Sequence, residues 1–299
     1  MITVSNAKKS FDKTVVLENL DCHVRKGSIY GLIGSNGAGK STLLNILCGV
    51  YKTEDGFVKI DGQDVYENIA IKEKIAYISD EPYFFNSSTM REMALYLKSV
   101  QPLFTMEKFE EIASHFPLDI NKKINSFSKG MKRQAAIVLA LSQNPDVLLC
   151  DESFDGLDPV IRQLVKRLLI REVSEREMTV IISSHNLSEM ENLCDTIAIL
   201  HDNKIILERS LDEIKDTMHH YQLAFKPMIP VEAFSTLDVI SHKIRSNIIE
   251  LVVKGDGEKI EAEFEKLNPI LIDKLELSLE DIFVYEMEVN GYDYTKILM

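Results

Sequence analysis

A run of small residues followed by a lysine and two hydroxyl side chains is the strongest chemical signal in the chain. The run reads Gly34-Ser35-Asn36-Gly37-Ala38-Gly39-Lys40-Ser41-Thr42. Small residues let the backbone curl closely around phosphates, so that its N–H groups point at the anion. Lys40 adds a positive charge at the β- and γ-phosphates, and the Ser41 hydroxyl is a suitable Mg²⁺ ligand. The run therefore predicts a site for a nucleotide and Mg²⁺.

Two further polar motifs follow apolar stretches that are typical of buried strands. Asp151 and Glu152 come directly after Val147-Leu148-Leu149-Cys150, and His185 comes shortly after Thr179-Val180-Ile181-Ile182. The carboxyl ends of parallel strands line the ligand crevice of an open α/β sheet. In such a crevice Asp151 would lie near Mg²⁺, Glu152 could polarise an attacking water, and His185 could contact a γ-phosphate. Each motif alone also fits a structural or solvated role.

The elements beside the glycine-rich run must hold it in place. Residues 28–33, which precede the run, are typical of a short buried strand. After the run, apolar residues recur at helical spacing, namely Leu43, Leu44, Ile46 and Leu47. A strand, a loop and a helix in this order are the context that a phosphate-binding loop requires.

Composition limits the class of protein. The chain has 299 residues, of which 45% are hydrophobic. We find no apolar run of about 18 residues that would predict a membrane span, and no apolar segment typical of a secretory signal. The four cysteines lack CxxC spacing, which favours reduced thiols in the cytosol over disulfides or a zinc site. A net charge of −13 argues against binding a phosphate backbone, so we expect no nucleic-acid partner.

Acidic residues concentrate towards the end of the chain. The last 89 residues hold 9 Lys and Arg against 18 Asp and Glu. This shift predicts a nucleotide-binding domain of residues 1–215 and a small α+β accessory domain of residues 216–299. Residues 221–225 alternate as in a half-buried strand, and residues 278–281 predict a capping box before a last helix. A structural cap and a regulatory or dimerising role stay open for this second domain.

One further run makes the sequence specific. Phe127-Ser128-Lys129-Gly130-Met131-Lys132-Arg133-Gln134 precedes a predicted helix over residues 135–141, and Ser128 lies 23 residues before Asp151. The run resembles the signature loop of ABC transporter ATPases. The order of motifs is also similar to that of the family, because Gly156-Leu157-Asp158-Pro159, which resembles its D-loop, follows the acidic pair. The resemblance extends over about residues 1–210.

The resemblance implies a fold and further site residues. It implies a P-loop ABC ATPase core, with a mostly parallel α/β sheet, an antiparallel β edge and a helical subdomain near residues 88–143. It implies that Phe11 stacks on adenine, although a phenylalanine this early in the chain equally fits the core. It also implies that Ser128 and Gly130 contact the γ-phosphate of ATP across a dimer, and that Asp158 belongs to the nucleotide-binding set.

Two positions depart from the family pattern. Lys129 replaces a small residue of the signature, which is similar to variants in exporter-type subunits. Asp80 occupies the place of the family's Q-loop glutamine, in the run Tyr77-Ile78-Ser79-Asp80-Glu81-Pro82. A carboxylate accepts hydrogen bonds but cannot donate one, and its charge is expected to alter Mg²⁺ affinity. The predicted metal-binding residues are therefore Ser41, Asp80 and Asp151.

The function that the resemblance implies is ATP hydrolysis coupled to transport. Two ATPase subunits, identical or different, would close on two ATP molecules, with Lys40, Glu152 and His185 as catalytic residues. Closure would drive a separately encoded integral membrane subunit docked near Asp80. We therefore expect a cytoplasmic protein on the inner face of the membrane, in an exporter. The alternatives are a soluble ABC-type ATPase that remodels a macromolecule and a P-loop kinase, which would lack the Ser128 loop.

Overall fold

The computed structural model describes residues 2–191, 193–279 and 282, and the chain divides into two compact units after Glu208. The predicted domain boundary after residue 215 falls inside a helix of the second unit and stays a prediction. The predicted capping box includes residues 280 and 281, so this element lies outside the described residues.

Two sheets form the framework of the first unit. An antiparallel sheet is formed by β1 (Ile2–Phe11), β2 (Thr14–Val24), β4 (Asp55–Ile60) and β5 (Gln63–Asp64), in the order β2-β1-β4-β5. A six-stranded sheet is formed by β3 (Ile29–Ile33), β6 (Ile75–Ile78), β7 (Val147–Asp151), β8 (Thr179–Ser184), β9 (Thr196–His201) and β10 (Lys204–Ser210). Its order is β10-β9-β3-β8-β7-β6, and the pairs that join β9, β3, β8, β7 and β6 are parallel. The predicted α/β class with an antiparallel β edge is confirmed.

The parallel strands bring the predicted chemical residues to one edge of the sheet. Every residue of β3, β7 and β8 is buried, as expected for strands in a parallel sheet that is covered on both faces. Asp151 pairs with Ser183, and Ile33 pairs with Ser184. The carboxyl ends of these three strands therefore lie side by side, and the phosphate loop, the acidic pair and His185 follow them directly.

Helices connect these strands. They are α1 (Lys40–Leu47), α2 (Ile69–Lys72), α3 (Met90–Val100), α4 (Met106–Ala113), α5 (Lys129–Leu141), α6 (Pro159–Arg176) and α7 (Leu187–Met190). Of these, α3 to α5 form the predicted helical subdomain, and α3 begins with a reciprocal capping box between Thr89 and Glu92. Within the described part of the chain, no helix combines the length and apolar character that crossing a membrane requires.

The start of α5 differs from the predicted helix over residues 135–141. The helix begins at Lys129, and the Ser128 hydroxyl accepts a hydrogen bond from the Met131 N–H at 3.3 Å. Serine at this position satisfies one of the free N–H groups of the first turn, which is why the helix extends back to it. Most of the signature run therefore belongs to the first turns of α5.

The second unit is a small α+β fold with a core of its own. Its elements are α8 (Leu211–Thr217), β11 (Met218–Ala224), β12 (Asp238–Arg245), β13 (Ile248–Lys254), α9 (Gly257–Lys266) and β14 (Leu271–Leu275). The four strands form an antiparallel sheet in the order β12-β13-β11-β14. Fully buried Tyr221 and Phe264 meet edge to face, with ring centroids 5.1 Å apart. The strand and helix patterns predicted for this region arise because their apolar residues pack into this core.

Candidate nucleotide-binding site

The glycine-rich run forms the loop between β3 and α1. Gly37 and Gly39 have φ angles of 82° and 108°, which favour glycine. A Cβ atom on Gly39 would lie 2.9 Å from Leu17 Cδ2, and one on Gly34 would lie 2.6 Å from the Leu200 carbonyl oxygen. Close packing of the loop against β2 and β9 thus requires these small residues. The loop leads directly into the N-terminus of α1, where backbone N–H groups favour an anion.

Lys40 is held against this loop by its own backbone. The side chain is only 5% exposed. Its Nζ donates to the carbonyl oxygens of Gly34 at 2.7 Å and Ser35 at 3.1 Å, and lies 3.1 Å from Glu152 Oε1. A buried charge requires polar partners in place of water. Two carbonyls and one carboxylate supply them, so the ammonium group is fixed at the centre of the predicted phosphate site.

Glu152 connects the other two predicted catalytic residues. While its Oε1 faces Lys40, its Oε2 lies 2.8 Å from His185 Nδ1. A carboxylate only accepts hydrogen bonds, so Nδ1 carries the proton of this contact. Glu152 has a φ angle of 47°, and such left-handed conformations of non-glycine residues concentrate at functional sites. The sequence-predicted catalytic residues thus lie in contact, with Lys40 ion-paired to Glu152 and Glu152 hydrogen-bonded to His185.

Asp151 is buried and fixed by two neighbouring hydroxyl groups. Its Oδ1 accepts a hydrogen bond from Ser183 Oγ at 2.6 Å, and its Oδ2 accepts one from the Tyr77 hydroxyl at 3.3 Å. Burial of Tyr77, together with the negative charge of Asp151, raises the pKa of the phenol, which stays a donor at neutral pH. Sequence reasoning did not assign either hydroxyl this role. Their positions near the carboxyl ends of β6 and β8 are the signal that could have found them.

The predicted metal ligands offer oxygen atoms that suit Mg²⁺. A cleft of about 230 Å³ is lined by residues of the phosphate loop and by Asp80 and Glu152. Ser41 and Asp80 line this cleft, whereas buried Asp151 is not among its lining residues. The donor set fits a hard cation that shares its coordination with phosphate and water. The assignment of individual ligands stays a prediction.

Asp155, which the sequence did not single out, lies close to the catalytic chain. The potential ligand atoms of Glu152, Asp155 and His185 all lie within 4.8 Å of one another. Such a group resembles the ligand set of a metal ion. The Lys40 ammonium group beside Glu152 opposes a second cation there, so we interpret the group as part of the hydrogen-bonded site.

Comparisons with known proteins agree with this geometry. The family described as ABC transporter matches residues 17–155. The bacitracin transport ATP-binding protein BcrA of Bacillus licheniformis is 30% identical, and the alignment covers 95% of this chain and 96% of that protein. The chain belongs to the family of ABC transporter ATP-binding proteins. This ABC ATPase subunit is therefore not a P-loop kinase.

Two further similarities support the assignment of the ABC subunit. The lantibiotic transport ATP-binding protein SrtF of Streptococcus pyogenes is 33% identical over 76% of this chain and 99% of its own length. A solved structure of an ATP-binding subunit of an ABC transporter has 27% sequence identity and a TM-score of 0.66. It covers 72% of this chain and 92% of its own. The predicted ABC ATPase fold is thus confirmed.

The signature and D-loop residues of the ABC subunit do not line its own phosphate cleft. Ser128 caps α5, and Asp158 caps α6 by accepting hydrogen bonds from the N–H groups of Val160 and Ile161 at 3.0 Å. A Cβ atom on Gly130 would lie 2.8 Å from the Gly156 carbonyl oxygen. These contacts explain the residue types locally. Nucleotide contacts of Ser128, Gly130 and Asp158 stay predictions.

Phe11 lies at the end of β1, away from the core of the ABC subunit. Its side chain is 39% exposed and meets Tyr51 edge to face, with ring centroids 5.2 Å apart. Lys9 Nζ lies 5.3 Å from the Phe11 ring centroid. The alternative that Phe11 is a core residue is therefore wrong. Stacking on adenine requires an aromatic ring with an exposed face. Phe11 is exposed, and its contact with adenine stays a prediction.

Arg133 contacts Asp80 at the Q-loop position, and the sequence did not predict this contact. It is 2% exposed, and its Nη2 lies 2.5 Å from Asp80 Oδ1. Its Nη1 donates to the carbonyl oxygen of Asp155, which directly precedes the D-loop. Arg133 stands in the signature run of the sequence, but its spacing from Asp80 gave no sign of this contact. One oxygen of the predicted metal ligand Asp80 is therefore bound to a guanidinium group.

Proposed function

We propose that two of these ABC subunits close head to tail on two ATP molecules and hydrolyse them to drive a separately encoded integral membrane subunit. The contacts of Glu152 with Lys40 on one side and His185 on the other, beside the phosphate loop, carry this proposal. It places a phosphate-binding cation, a general base and a histidine at one edge of the sheet. These are the groups that transfer of a γ-phosphoryl group to water requires.

The residues change partners when ATP enters. The β- and γ-phosphates take the place of Glu152 beside Lys40, because the loop N–H groups and α1 direct them there. Glu152 is then free to orient and deprotonate the attacking water, and His185 contacts the γ-phosphate. Mg²⁺, when bound, would neutralise charge on the phosphates, and Ser41, Asp80 and Asp151 are the residues that would hold it.

The head-to-tail dimer is supported by the position of the signature loop. Ser128 and Gly130 are absent from the residues that line the phosphate cleft of their own chain. Their proposed contacts with a γ-phosphate therefore require a second subunit. The Ser128 hydroxyl is exposed, at the N-terminus of a 13-residue helix, where an anion is favourable.

An exposed aromatic patch supports docking of a membrane subunit near Asp80. Tyr83, Phe85 and Tyr96 are all exposed, and Tyr83 is 80% exposed. The ring centroids of Tyr83 and Phe85 lie 6.3 Å apart, and those of Phe85 and Tyr96 lie 4.7 Å apart. Contiguous exposed aromatic groups mark protein interfaces. A partner on this patch would hold the subunit at the cytoplasmic face of a membrane.

Export is the direction of transport that we propose. The two relatives described above are named for transport of bacitracin and of lantibiotics. The similarity to the first covers nearly the whole chain, including the accessory unit. Susceptibility to bacitracin and to a lantibiotic, compared between cells that contain this chain and cells that lack it, tests this direction. Unchanged susceptibility to both would require another cargo.

The Glu152→Gln variant tests the hydrolytic mechanism. Glutamine keeps the shape of the side chain but cannot take a proton, so we expect ATP binding to persist while hydrolysis falls by roughly 10²–10⁴-fold. The variant should also accumulate as an ATP-bound dimer, measured by light scattering after size-exclusion chromatography. Glu81→Gln, which neutralises an exposed acid near Asp80, is the control. Hydrolysis by Glu152→Gln at the control rate would remove the base assignment.

A further inference from the structure

The Arg133 guanidinium group touches two loops at once. Its Nη2 pairs with Asp80 Oδ1 at 2.5 Å and lies 3.4 Å from the Asp80 carbonyl oxygen, while its Nη1 donates to the Asp155 carbonyl oxygen. Arg133 itself belongs to α5, which Ser128 caps. One buried side chain therefore joins the Q-loop position, the D-loop and the signature helix.

The contact with the D-loop is enforced by close backbone packing. Gly156 has a φ angle of 70°, and a Cβ atom there would lie 3.4 Å from Arg133 Nη1. Across the same contact, a Cβ atom on Gly130 would come within 2.8 Å of the Gly156 carbonyl oxygen. The guanidinium group, residue 156 and the first turn of α5 are therefore packed with little space between them.

Asp80 is the charged partner that balances this cation. Arg133 is almost completely buried, whereas Asp80 is about half exposed and also lines the phosphate cleft. A buried guanidinium group that loses its carboxylate is costly, since water cannot replace the lost charge. The surface that holds this pair is also lined by Lys129, Lys132 and Glu81, so three cations share it with two carboxylates.

We propose that Arg133 is a positioning residue that links this subunit's own ATP cleft to its signature helix and D-loop, with Asp80 as its conditional partner. The proposal rests on the proposed function, because it needs ATP in the cleft that Asp80 lines. Asp80 pairs with Arg133 through Oδ1, and a cation in the cleft that draws on the same carboxylate weakens this pair. Nucleotide that draws Asp80 into the cleft thus releases Arg133. The release of Arg133 in turn frees the signature loop and the D-loop, which serve the opposite subunit.

A double-mutant cycle in the full-length chain tests the pair. Asp80→Asn, Arg133→Gln and the double variant are compared with the unaltered protein by kcat and KM for ATP. We expect Asp80→Asn to lower kcat about tenfold when Arg133 is present and less than about twofold in the Arg133→Gln background, since coupled residues are not additive. Equal fold-changes in both backgrounds would overturn the proposal.

Two further measurements separate positioning from misfolding and from loss of the nucleotide site. The number of ATP sites per chain and the ATP dissociation constant should stay close to those of the unaltered protein in every variant, so that the loss falls on kcat. A reduced number of sites would show misfolding and overturn a positioning role. Glu81→Gln, combined with Arg133→Gln, is the matched control, and the effects of these two substitutions on kcat should be additive.

The conservative variant Arg133→Lys tests the bridge itself. Lysine keeps the charge but lacks the planar fork that reaches Asp80 and Asp155 together. We expect its kcat to fall as in Arg133→Gln, and a kcat equal to that of the unaltered protein would show that charge alone is sufficient and overturn the bridge. If the unaltered chain hydrolyses no ATP, the proposed function fails. If it hydrolyses ATP and the cycle is additive, only the role of Arg133 fails.

Discussion

Lys40 keeps its charge in a nearly closed environment because protein oxygen atoms replace the water that it gives up. Two of these atoms are carbonyl oxygens of the loop that would curl around a phosphate, and the third belongs to Glu152. Such an ammonium group is arranged before any nucleotide binds. We therefore expect Lys40 to contribute to ATP binding without the cost of ordering a flexible side chain.

The Lys40→Ala variant should lose most ATP binding. Removing a charge-assisted contact costs about 1.5–3 kcal/mol, which corresponds to an affinity loss of roughly 10–100-fold. Titration with a fluorescent ATP analogue measures the change. Lys26→Ala is the matched control, because Lys26 is an exposed lysine that pairs with Glu177 on the surface. Equal affinities for the two variants would contradict the role of Lys40.

Residues that act through short sequence motifs could be predicted, and residues that act through distant contacts could not. Lys40, Glu152 and His185 were found because loop and strand-end patterns carry their chemistry, and the structure brings them together. Arg133 and Tyr77 were missed because each contacts its partner across more than fifty residues of chain. No local pattern encodes such a pairing, which only the packing of strands and helices creates.

A buried charge network ties the helical subdomain to the sheet-bearing part of the first unit. Glu172 of α6 is 2% exposed and accepts hydrogen bonds from Lys108 of α4 at 2.8 Å and from Arg176 at 2.6 Å. Burial alone would raise the pKa of Glu172, but these two cations outweigh it and lower the pKa. The ionised form is therefore favoured in the folded protein, and it holds α4 against α6.

The Glu172→Gln variant should be less stable by about 1–3 kcal/mol at neutral pH, since two hydrogen bonds to charged groups are weakened. The folded pKa lies below the unfolded value of about 4.3, so this stability is complete above that value. It is lost as the pH falls through the folded pKa. Urea unfolding at neutral and acid pH measures both. Glu175→Gln, at an exposed position on the same helix, is the control. A difference in unfolding free energy between Glu172→Gln and the unaltered protein that persists at acid pH would contradict the mechanism.

Elements were easier to predict than their ends. The strand and helix around the phosphate loop appear where hydrophobic periodicity placed them, because burial decides both. The predicted start of α5 was wrong, because the residues before 135 are mostly polar and show no hydrophobic periodicity. A single hydroxyl, that of Ser128, decides where this helix begins. Capping depends on one side chain and its geometry, and periodicity cannot detect it.

At the scale of the whole molecule, each unit has its own hydrophobic core. The core of the second unit includes Tyr221, Phe225, Phe234 and Phe264, all of which are buried within residues 209–299. The core of the first unit draws on both of its sheets and on α1. Two separate cores predict two units that fold independently.

A chain that ends at Ser210 should therefore fold and bind ATP. It keeps all of β10 and every residue that we assign to the nucleotide. We expect soluble protein with an ATP dissociation constant close to that of the full chain, measured in the same titration. The truncated chain with Lys40→Ala is the control for specific binding. Soluble truncated protein that binds no ATP would show that the second unit contributes to the nucleotide site.

The contact between Lys40 and Glu152 affects which anions can bind the site in the absence of nucleotide. The carboxylate is a resident competitor, tethered to the site at a high effective concentration. Free phosphate or sulfate offers a single anionic group, and must displace this competitor with few other contacts in return. ATP brings a chain of three phosphates and a base to the same exchange. We therefore expect the resting site to discriminate against small anions and to stay receptive to nucleotide.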